Sequence, residues 1–465
     1  MLLKNLLKVN SDVSVQGIGY GENCPFGALY FCLRENKLRQ DVEFAERSGA
    51  VALITPEKVE TRLPQFTSKD VRADFALASS AYYGNPSKKL TMIAVTGTNG
   101  KTTTTHIIKK IMEADGRKTG MIGTNCVMID DEVIEPTLTT PDPPVLHELL
   151  ARMVERGVTT VVMEVSAHAL ALKKLSGIKF TVSAFTNLTQ DHLDFFGNMN
   201  AYANAKSSLF TPELSACAVV NVDDEMGMEI LRNARIPVVT YGFENPSDAF
   251  GIEYRANADG CRFVANIMDD ILELKYCAPG AFNMCNVLCA ATVAKTLGVD
   301  SLTICKGVQS VKSISGRFEI VKGKGKRVVV DYAHTPDGLK KILGVAREIT
   351  KGKIITVFGC GGNRDKGKRA IMGEIASELS DFAVITSDNP RDEDPTEIAQ
   401  SVASGCKKPN YKIITDRRAG IAYALELCGE NDTVIVAGKG HENTQEAKGV
   451  KTHFSDVETV KELLE

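Results

Sequence analysis

The segment Gly97-Thr98-Asn99-Gly100-Lys101-Thr102-Thr103 is built for phosphate chemistry. Glycines let the backbone turn tightly and aim successive N–H groups at an anion. Lys101 adds a full positive charge, and Thr102 offers a hydroxyl to a divalent cation. A following helix would add the positive end of its dipole. A β-branched run, Met92 to Thr96, precedes the loop, and a helical run starts at Thr104. The GxxxxGK[ST] pattern asks for a glycine where Val95 stands, so the compact form TGTNGKTT takes its place. Strand, loop and helix in that order predict a nucleoside-triphosphate site; the alternative is an incidental Gly/Thr turn.

Other reactive side chains fall at the carboxyl ends of expected strands. Glu164 closes one, where a carboxylate can bind Mg²⁺ directly or through water. His192 lies in Asp191-His192-Leu193-Asp194, although a lone loop histidine is more often structural. Lys206 by itself reads as a solvated helix charge. Asn283, in FNMCN, suits a helix N-cap as well as a ligand contact. Cys285 and Cys289, with no histidine nearby, read as core.

Three later loops stand out: Gly359 to Asp365, Ser387 to Arg391, and Gly438 to Glu442. Arg364 takes the place of the last glycine of GxGxxG, which argues against a dinucleotide fingerprint. Two arginines and a glutamate suit a zwitterionic amino acid with an extra carboxylate. Arginine offers a planar fork, and Glu442 can accept from an ammonium. The alternative is a set of surface turns with exposed charges.

These residues need a scaffold, and the chain supplies an alternating one. Expected strands at Met92–Thr96, Thr159–Val165, Ala218–Val222, Arg327–Asp331, Lys353–Phe358, Phe382–Thr386 and Thr433–Ala437 are separated by helical stretches. That alternation predicts parallel α/β layers with a ligand crevice beyond the strand ends. The polar stretch 84–89 and the interruption at 313–317 divide the chain into domains at 1–88, 89–316 and 317–465. The length of 465 residues agrees with about three domains.

Lysine plus arginine (55) nearly balances aspartate plus glutamate (58), and no basic tract occurs. A binder of nucleic-acid polymers is therefore not expected. The N-terminus lacks a signal-peptide core, and no apolar run approaches the ~20 residues of a membrane span. Twelve cysteines without a CxxC pair point to reduced thiols in the cytoplasm.

TGTNGKTTT resembles the ATP loop of the Mur ligases and folylpolyglutamate synthetases, which use ATP to form amide bonds. Further segments match in order: MEVS at 163–166, TNLTQDHLD at 186–194, AKSSLF at 205–210, GAFNMCN at 280–286, GRFE at 316–319 and DYAHTP at 331–336. The resemblance is greatest to the members that add the third amino acid of the peptidoglycan stem peptide. It is specific from about residue 90 onward.

The resemblance implies three α/β domains: a smaller N-terminal one for a UDP-sugar carrier, a central P-loop domain for ATP, and a C-terminal Rossmann-like one for an amino acid. ATP would be held by Gly97, Thr98, Asn99, Gly100, Lys101, Thr102, Thr103, Asn283, Arg317 and Asp331. The catalytic set would be Lys101, Glu164, His192 and Lys206. Two Mg²⁺ ions would be held by Thr102, Glu164, His192 and Lys206, the lysine as its carbamate.

The carrier, UDP-MurNAc-L-Ala-D-Glu, would meet Thr139, Thr140, Ser166 and Lys174. The acceptor, meso-diaminopimelate, would meet Arg364, Asp388, Asn389, Pro390, Arg391, Gly438 and Glu442, since DNPR is the variant associated with that amino acid. Two departures accompany the match. Leu172 and Lys174 replace an expected Gln and Arg, and Tyr20-Gly21-Glu22 replaces an Asp-Ser-Arg signature. They keep open a paralogous ligase joining another amino acid to another carrier. A binding module without chemistry is the third reading, and the intact Lys101, Glu164, His192 and Lys206 argue against it. The expected state is a cytoplasmic monomer.

Overall fold

A computed structural model describes residues 1–257 and 260–465. Its described strands form sheets of four, eleven and six strands and a two-stranded hairpin. The middle sheet is centred on Thr91–Thr96, whose apolar and β-branched residues are buried from Met92 onward. It pairs in parallel with Val182–Phe185 on one side and Thr160–Glu164 on the other. Burial on both faces explains why these strands read as continuous apolar runs.

The helix Lys101–Ala114 follows the loop and packs one stripe, Ile107, Ile108, Ile111 and Met112, into the core. Its neighbours are Ala281–Thr296 and Ser301–Ser310. Ala281–Thr296 is buried nearly all round, as expected of a helix apolar on every face. The C-terminal sheet runs in the spatial order Glu319–Gly323, Lys326–Asp331, Thr433–Ala437, Ile354–Phe358, Phe382–Ile385, Tyr411–Ile413. One apolar cluster runs without a break from Ile107 and Ile111 through Leu288 to Ile342, Val345 and Phe358, so the two larger sheets share a core. The four parallel strands between Gly17 and Thr67 rest on separate clusters around Leu29 and Tyr30.

All seven expected strands are present. The alternating pattern missed antiparallel pieces: the meander Ala249–Asn257, Gly260–Ile267, Asp270–Tyr276, the pairing of Glu319–Gly323 with Lys326–Asp331, and the hairpin of Thr444–Ala447 with Val450–His453. The stretch 84–89 is no free linker. Pro86–Lys89 forms a 3₁₀ turn with Pro86 and Ser87 buried, packed on the helix Pro143–Glu155. All twelve cysteines are free and none is exposed.

Candidate active site

The strand Thr91–Thr96 delivers the phosphate loop to the carboxyl edge of the middle sheet. Gly97 has φ +149°, and a Cβ there would lie 1.9 Å from Thr186 Oγ1, so only glycine fits this close approach. Gly100 caps the helix in the left-handed region. Lys101 folds back, its Nζ donating to the carbonyls of Gly97 (3.0 Å) and Thr98 (2.9 Å). Burial lowers its basicity, while Glu164 opposes that shift.

Glu164 ends its strand buried, clasped by Thr124. The Thr124 N–H donates to Oε1 and its hydroxyl to Oε2, each at 2.9 Å. His192 opens a short helix in the left-handed conformation (φ +54°), with Nε2 3.5 Å from Asp191 Oδ2. Burial pulls its pKa down to about 4, against the pull of Asp191, so the imidazole is neutral at physiological pH. Burial alone would raise the Asp191 carboxyl, but His334, His192 and Lys368 outweigh it and hold it below the usual range.

Arg317 and Asp331 come from the other domain, Arg317 just before the strand Glu319–Gly323 and Asp331 at the end of Lys326–Asp331. Arg317 Nη2 donates to Thr102 Oγ1 at 3.0 Å, and its guanidinium lies 4.6 Å from the Tyr332 ring centroid. Its Nε is buried without a partner among the described residues. Asp331 accepts from the N–H groups of Phe318 and Ala333, and burial raises it despite Arg317. Gly316 makes the turn possible: at φ +64° a Cβ would lie 2.0 Å from the His441 backbone nitrogen. A further contact across the same gap runs from Asn99 Nδ2 to Asp337 Oδ2, 3.0 Å.

These groups enclose a cavity of about 610 Å³ lined by both domains, including Thr98 to Thr103, Thr139, Glu164, Ser166, His192, Asn283, Arg317 and Asp331. The volume suits a nucleotide-sized ligand. Asn283 is not the N-cap: Gly280 holds that position, and Asn283 Nδ2 donates back to the Pro279 carbonyl at 2.8 Å.

The four expected metal-binding residues do not form a ready cage. No group of three or more His, Cys, Asp or Glu among the described residues stands close enough to hold an ion. Thr102 Oγ1 faces Arg317, and Lys206 Nζ donates to the Gly97 carbonyl at 2.8 Å. Thr102 and Glu164 nonetheless fit magnesium, because hydroxyl and carboxylate oxygens keep lone pairs beyond these bonds, whereas Lys206 would offer oxygens only as its carbamate. Lys206 is buried beneath the loop, and its basicity falls well below the lysine norm, through burial first and then Lys101.

Of the residues expected at the carrier, Thr139 Oγ1 lies 3.0 Å from Thr124 Oγ1, and Ser166 caps the helix Ala167–Ala171. Thr140 is buried and lies behind them, its hydroxyl donating to the Glu164 carbonyl and accepting from the Ser166 N–H. Lys174 pairs with Asp142 at 2.7 Å, and Asp142 also accepts from Tyr20 OH at 3.2 Å.

The acceptor candidates gather in two linked groups. Asn389 Nδ2 and Lys439 Nζ both donate to Glu442 Oε2, at 2.9 and 2.8 Å. Asp388 lies against Gly438, whose φ of +115° and closeness to Asp388 Oδ2 leave no room for a Cβ. Pro390 leads to Arg391, whose Nη1 donates to the Gly362 carbonyl at 2.8 Å. Arg391 and Arg364 flank Gly361: a Cβ there would lie 3.0 Å from Arg391 Nη1 and 3.8 Å from Arg364 Cγ. Arg364 is over half exposed, 3.9 Å from Asp194 of the middle domain.

Sequence reasoning did not select Thr124, Asp191, Tyr332, His334 or Lys439. Asp191, Tyr332 and His334 sit inside motifs already picked out, and their place between charged neighbours was the missing information. Lys439 likewise sits inside the selected loop Gly438 to Glu442, and nothing in one sequence marks Thr124.

A phosphate loop facing a second α/β domain across a nucleotide-sized cavity defines a nucleoside-triphosphate-using enzyme. The Mur ligase middle domain model matches residues 95–294, and that of the Mur ligase, glutamate ligase domain matches 316–440. A UDP-N-acetylmuramoyl-L-alanyl-D-glutamate–2,6-diaminopimelate ligase of Caldanaerobacter subterraneus subsp. tengcongensis is 40% identical, covering 99% of this chain and 97% of its own. One of the same name from Clostridium perfringens is 39% identical over 100% of both. A solved structure bearing that enzyme name superposes with TM-score 0.72 at 28% identity, covering 100% of this chain and 98% of its own. A Thermotoga maritima MurF ligase in complex with ADP shares the fold, at TM-score 0.64 and 18% identity, over 96% of each chain. The chain belongs to the Mur ligase family.

Proposed function

We propose that this enzyme adds meso-diaminopimelate to the D-Glu γ-carboxylate of UDP-MurNAc-L-Ala-D-Glu, with ATP hydrolysed to ADP and phosphate. The observation that carries the ATP-dependent part of the reading is the cavity bounded by Lys101, Glu164 and His192 on one side and Arg317 and Asp331 on the other. The names of the full-length relatives point the same way. Residues 1–88 would take the carrier, 89–316 ATP and 317–465 the amino acid. The reading makes it a cytoplasmic monomer. No helix among the described residues is long and apolar enough to cross a membrane.

The loop N–H groups and Lys101 hold the phosphates of ATP, and Arg317, which lines the same cavity from the opposite side, adds a second positive charge. Magnesium, held by Thr102, Glu164, His192 and a Lys206 carbamate, would neutralise the γ-phosphate and the carboxylate that otherwise repel. The carboxylate oxygen takes the γ-phosphoryl group, giving an acyl phosphate and ADP. Glu442 positions the acceptor: its donors Asn389 and Lys439 both use Oε2, which leaves Oε1 for an ammonium. The acceptor amine then attacks the acyl carbon, and the tetrahedral intermediate expels phosphate. Positioning and charge neutralisation supply the catalysis.

A second reading, a paralogue with another carrier or amino acid, is favoured by one observation. Lys174, where an arginine was expected, is already paired with Asp142, which Tyr20 also engages. Phosphate release from a panel of carriers and amino acids, with the product weighed by mass spectrometry, separates the two. Turnover with UDP-MurNAc-L-Ala-D-Glu and meso-diaminopimelate supports the first; turnover only with another pair replaces it.

A further inference from the structure

The acceptor loops 387–391 and 438–442 begin at the ends of Phe382–Ile385 and Thr433–Ala437. These strands are not neighbours, because Ile354–Phe358 lies between them. No ladder hydrogen bond therefore fixes one loop relative to the other; the direct links, Asn389 Nδ2 to Glu442 Oε2 at 2.9 Å and Lys439 Nζ to Asn389 Oδ1 at 3.2 Å, join side chains and leave the two backbones to be set by something else. At 4.7–4.9 Å per strand the strand ends lie roughly 10 Å apart, and just beyond them the Ser387 and Ala437 carbonyls come close enough for one side chain to reach both.

Arg417 occupies that position. It is the first residue of the helix Arg417–Leu427 and is 2% exposed. Its Nη1 donates to the Ser387 carbonyl at 3.2 Å and its Nη2 to the Ala437 carbonyl at 2.9 Å. Ser387 directly precedes Asp388, and Ala437 directly precedes Gly438. The Asp456 carboxylate, itself fully buried, takes Nε at 2.7 Å and Nη2 at 2.8 Å in a bidentate pair. A buried arginine held on both edges is rigid, since leaving any of these donors unpaired would be costly.

We propose that Arg417, locked by Asp456, is a positioning residue that sets the spacing of the two acceptor loops and so the affinity for the amino acid. Arg417 does not line the cavity assigned to ATP. It acts through Ser387 and Ala437 on Asp388, Asn389 and Glu442. The inference rests on the assignment of these loops to the acceptor.

The test is steady-state kinetics of wild type, Arg417→Lys and Asp456→Asn with meso-diaminopimelate, ATP and the carrier each varied in turn, with melting temperature measured alongside. Lysine keeps the charge but cannot span both carbonyls and the carboxylate. The KM for the amino acid should rise about ten-fold or more, the scale of one lost charge-assisted bond. The KM values for ATP and carrier should stay within about two-fold, a split that general destabilisation would not produce. An unchanged amino-acid KM, or a parallel rise in all three, overturns the proposal. Asp456→Asn keeps the side-chain shape and one acceptor oxygen, and it decides the matter if Arg417→Lys does not fold. Failure of the wild type to use meso-diaminopimelate would instead refute the acceptor assignment.

Discussion

Lys206 and Lys101 donate to the same oxygen, the Gly97 carbonyl, at 2.8 and 3.0 Å. Two ammonium groups so placed repel each other, and burial penalises both. Glu164 opposes the shift at Lys101, and Lys206 is the one pushed furthest toward the neutral amine. A neutral amine is the form that captures CO₂. The position is therefore suited to a carbamate before any metal is considered.

Lys206→Ala should be nearly inactive, and Lys206→Glu, or a short carboxylate supplied to the alanine variant, should restore part of the turnover. The check is product formation with and without added bicarbonate. A native enzyme that stays fully active after thorough CO₂ removal would refute the carbamate.

Lys101→Ala should abolish ATP-dependent product formation. Its bonds are to its own loop, so the fold should persist, with a melting shift of no more than about 4 °C, the scale of ~1 kcal/mol in a domain of this size. Nucleotide binding by calorimetry and a melting curve measure the two effects separately. Near-native turnover would remove the phosphate-loop assignment.

Acceptor choice should depend on Arg391 and Arg364, which flank Gly361. L-Lysine lacks the distal carboxylate of meso-diaminopimelate and would leave an arginine without its partner. The preference should be on the order of ten- to a hundred-fold, from roughly 1.5–3 kcal/mol per charge-assisted bond. Arg391→Ala should erode it without weakening ATP binding. Comparison of kcat/KM for the two amino acids decides it, and equal use of lysine by the wild type would count against the DNPR assignment.

His147 is fully buried in the helix Pro143–Glu155, both ring nitrogens lack partners among the described residues, and burial pulls its pKa down to about 4. The unfolded chain takes up a proton near pH 6.5 and the folded one does not until about pH 4. Stability from this group is therefore present above pH 6.5 and lost as pH falls through that window. His147→Leu should lose about 2 kcal/mol less than wild type between pH 7.5 and pH 5. Urea unfolding at the two pH values measures it.

Much of this site was legible in the sequence. The phosphate loop could be read because glycine, lysine and threonine at fixed spacing between strand and helix have few other uses. Asn283 could not be assigned, since asparagine suits a cap and a ligand equally; the cap at Gly280 depends on where the chain enters the helix. Lys206 reads as a surface charge until burial is known, and Arg417 reads the same way. The antiparallel meander escaped because its last two strands alternate buried and exposed residues, whereas the expected strands were the continuous apolar runs of a parallel sheet.

The apolar cluster shared by the two larger sheets bears on how the chain comes apart. Ile111 and Val345 belong to one continuous core, so the regions carrying them should lose structure in a single cooperative event rather than two. The clusters around Leu29 and Tyr30 are separate and are free to melt on their own. Scanning calorimetry should therefore resolve two transitions, and a non-hydrolysable ATP analogue should raise only the one that contains the phosphate loop.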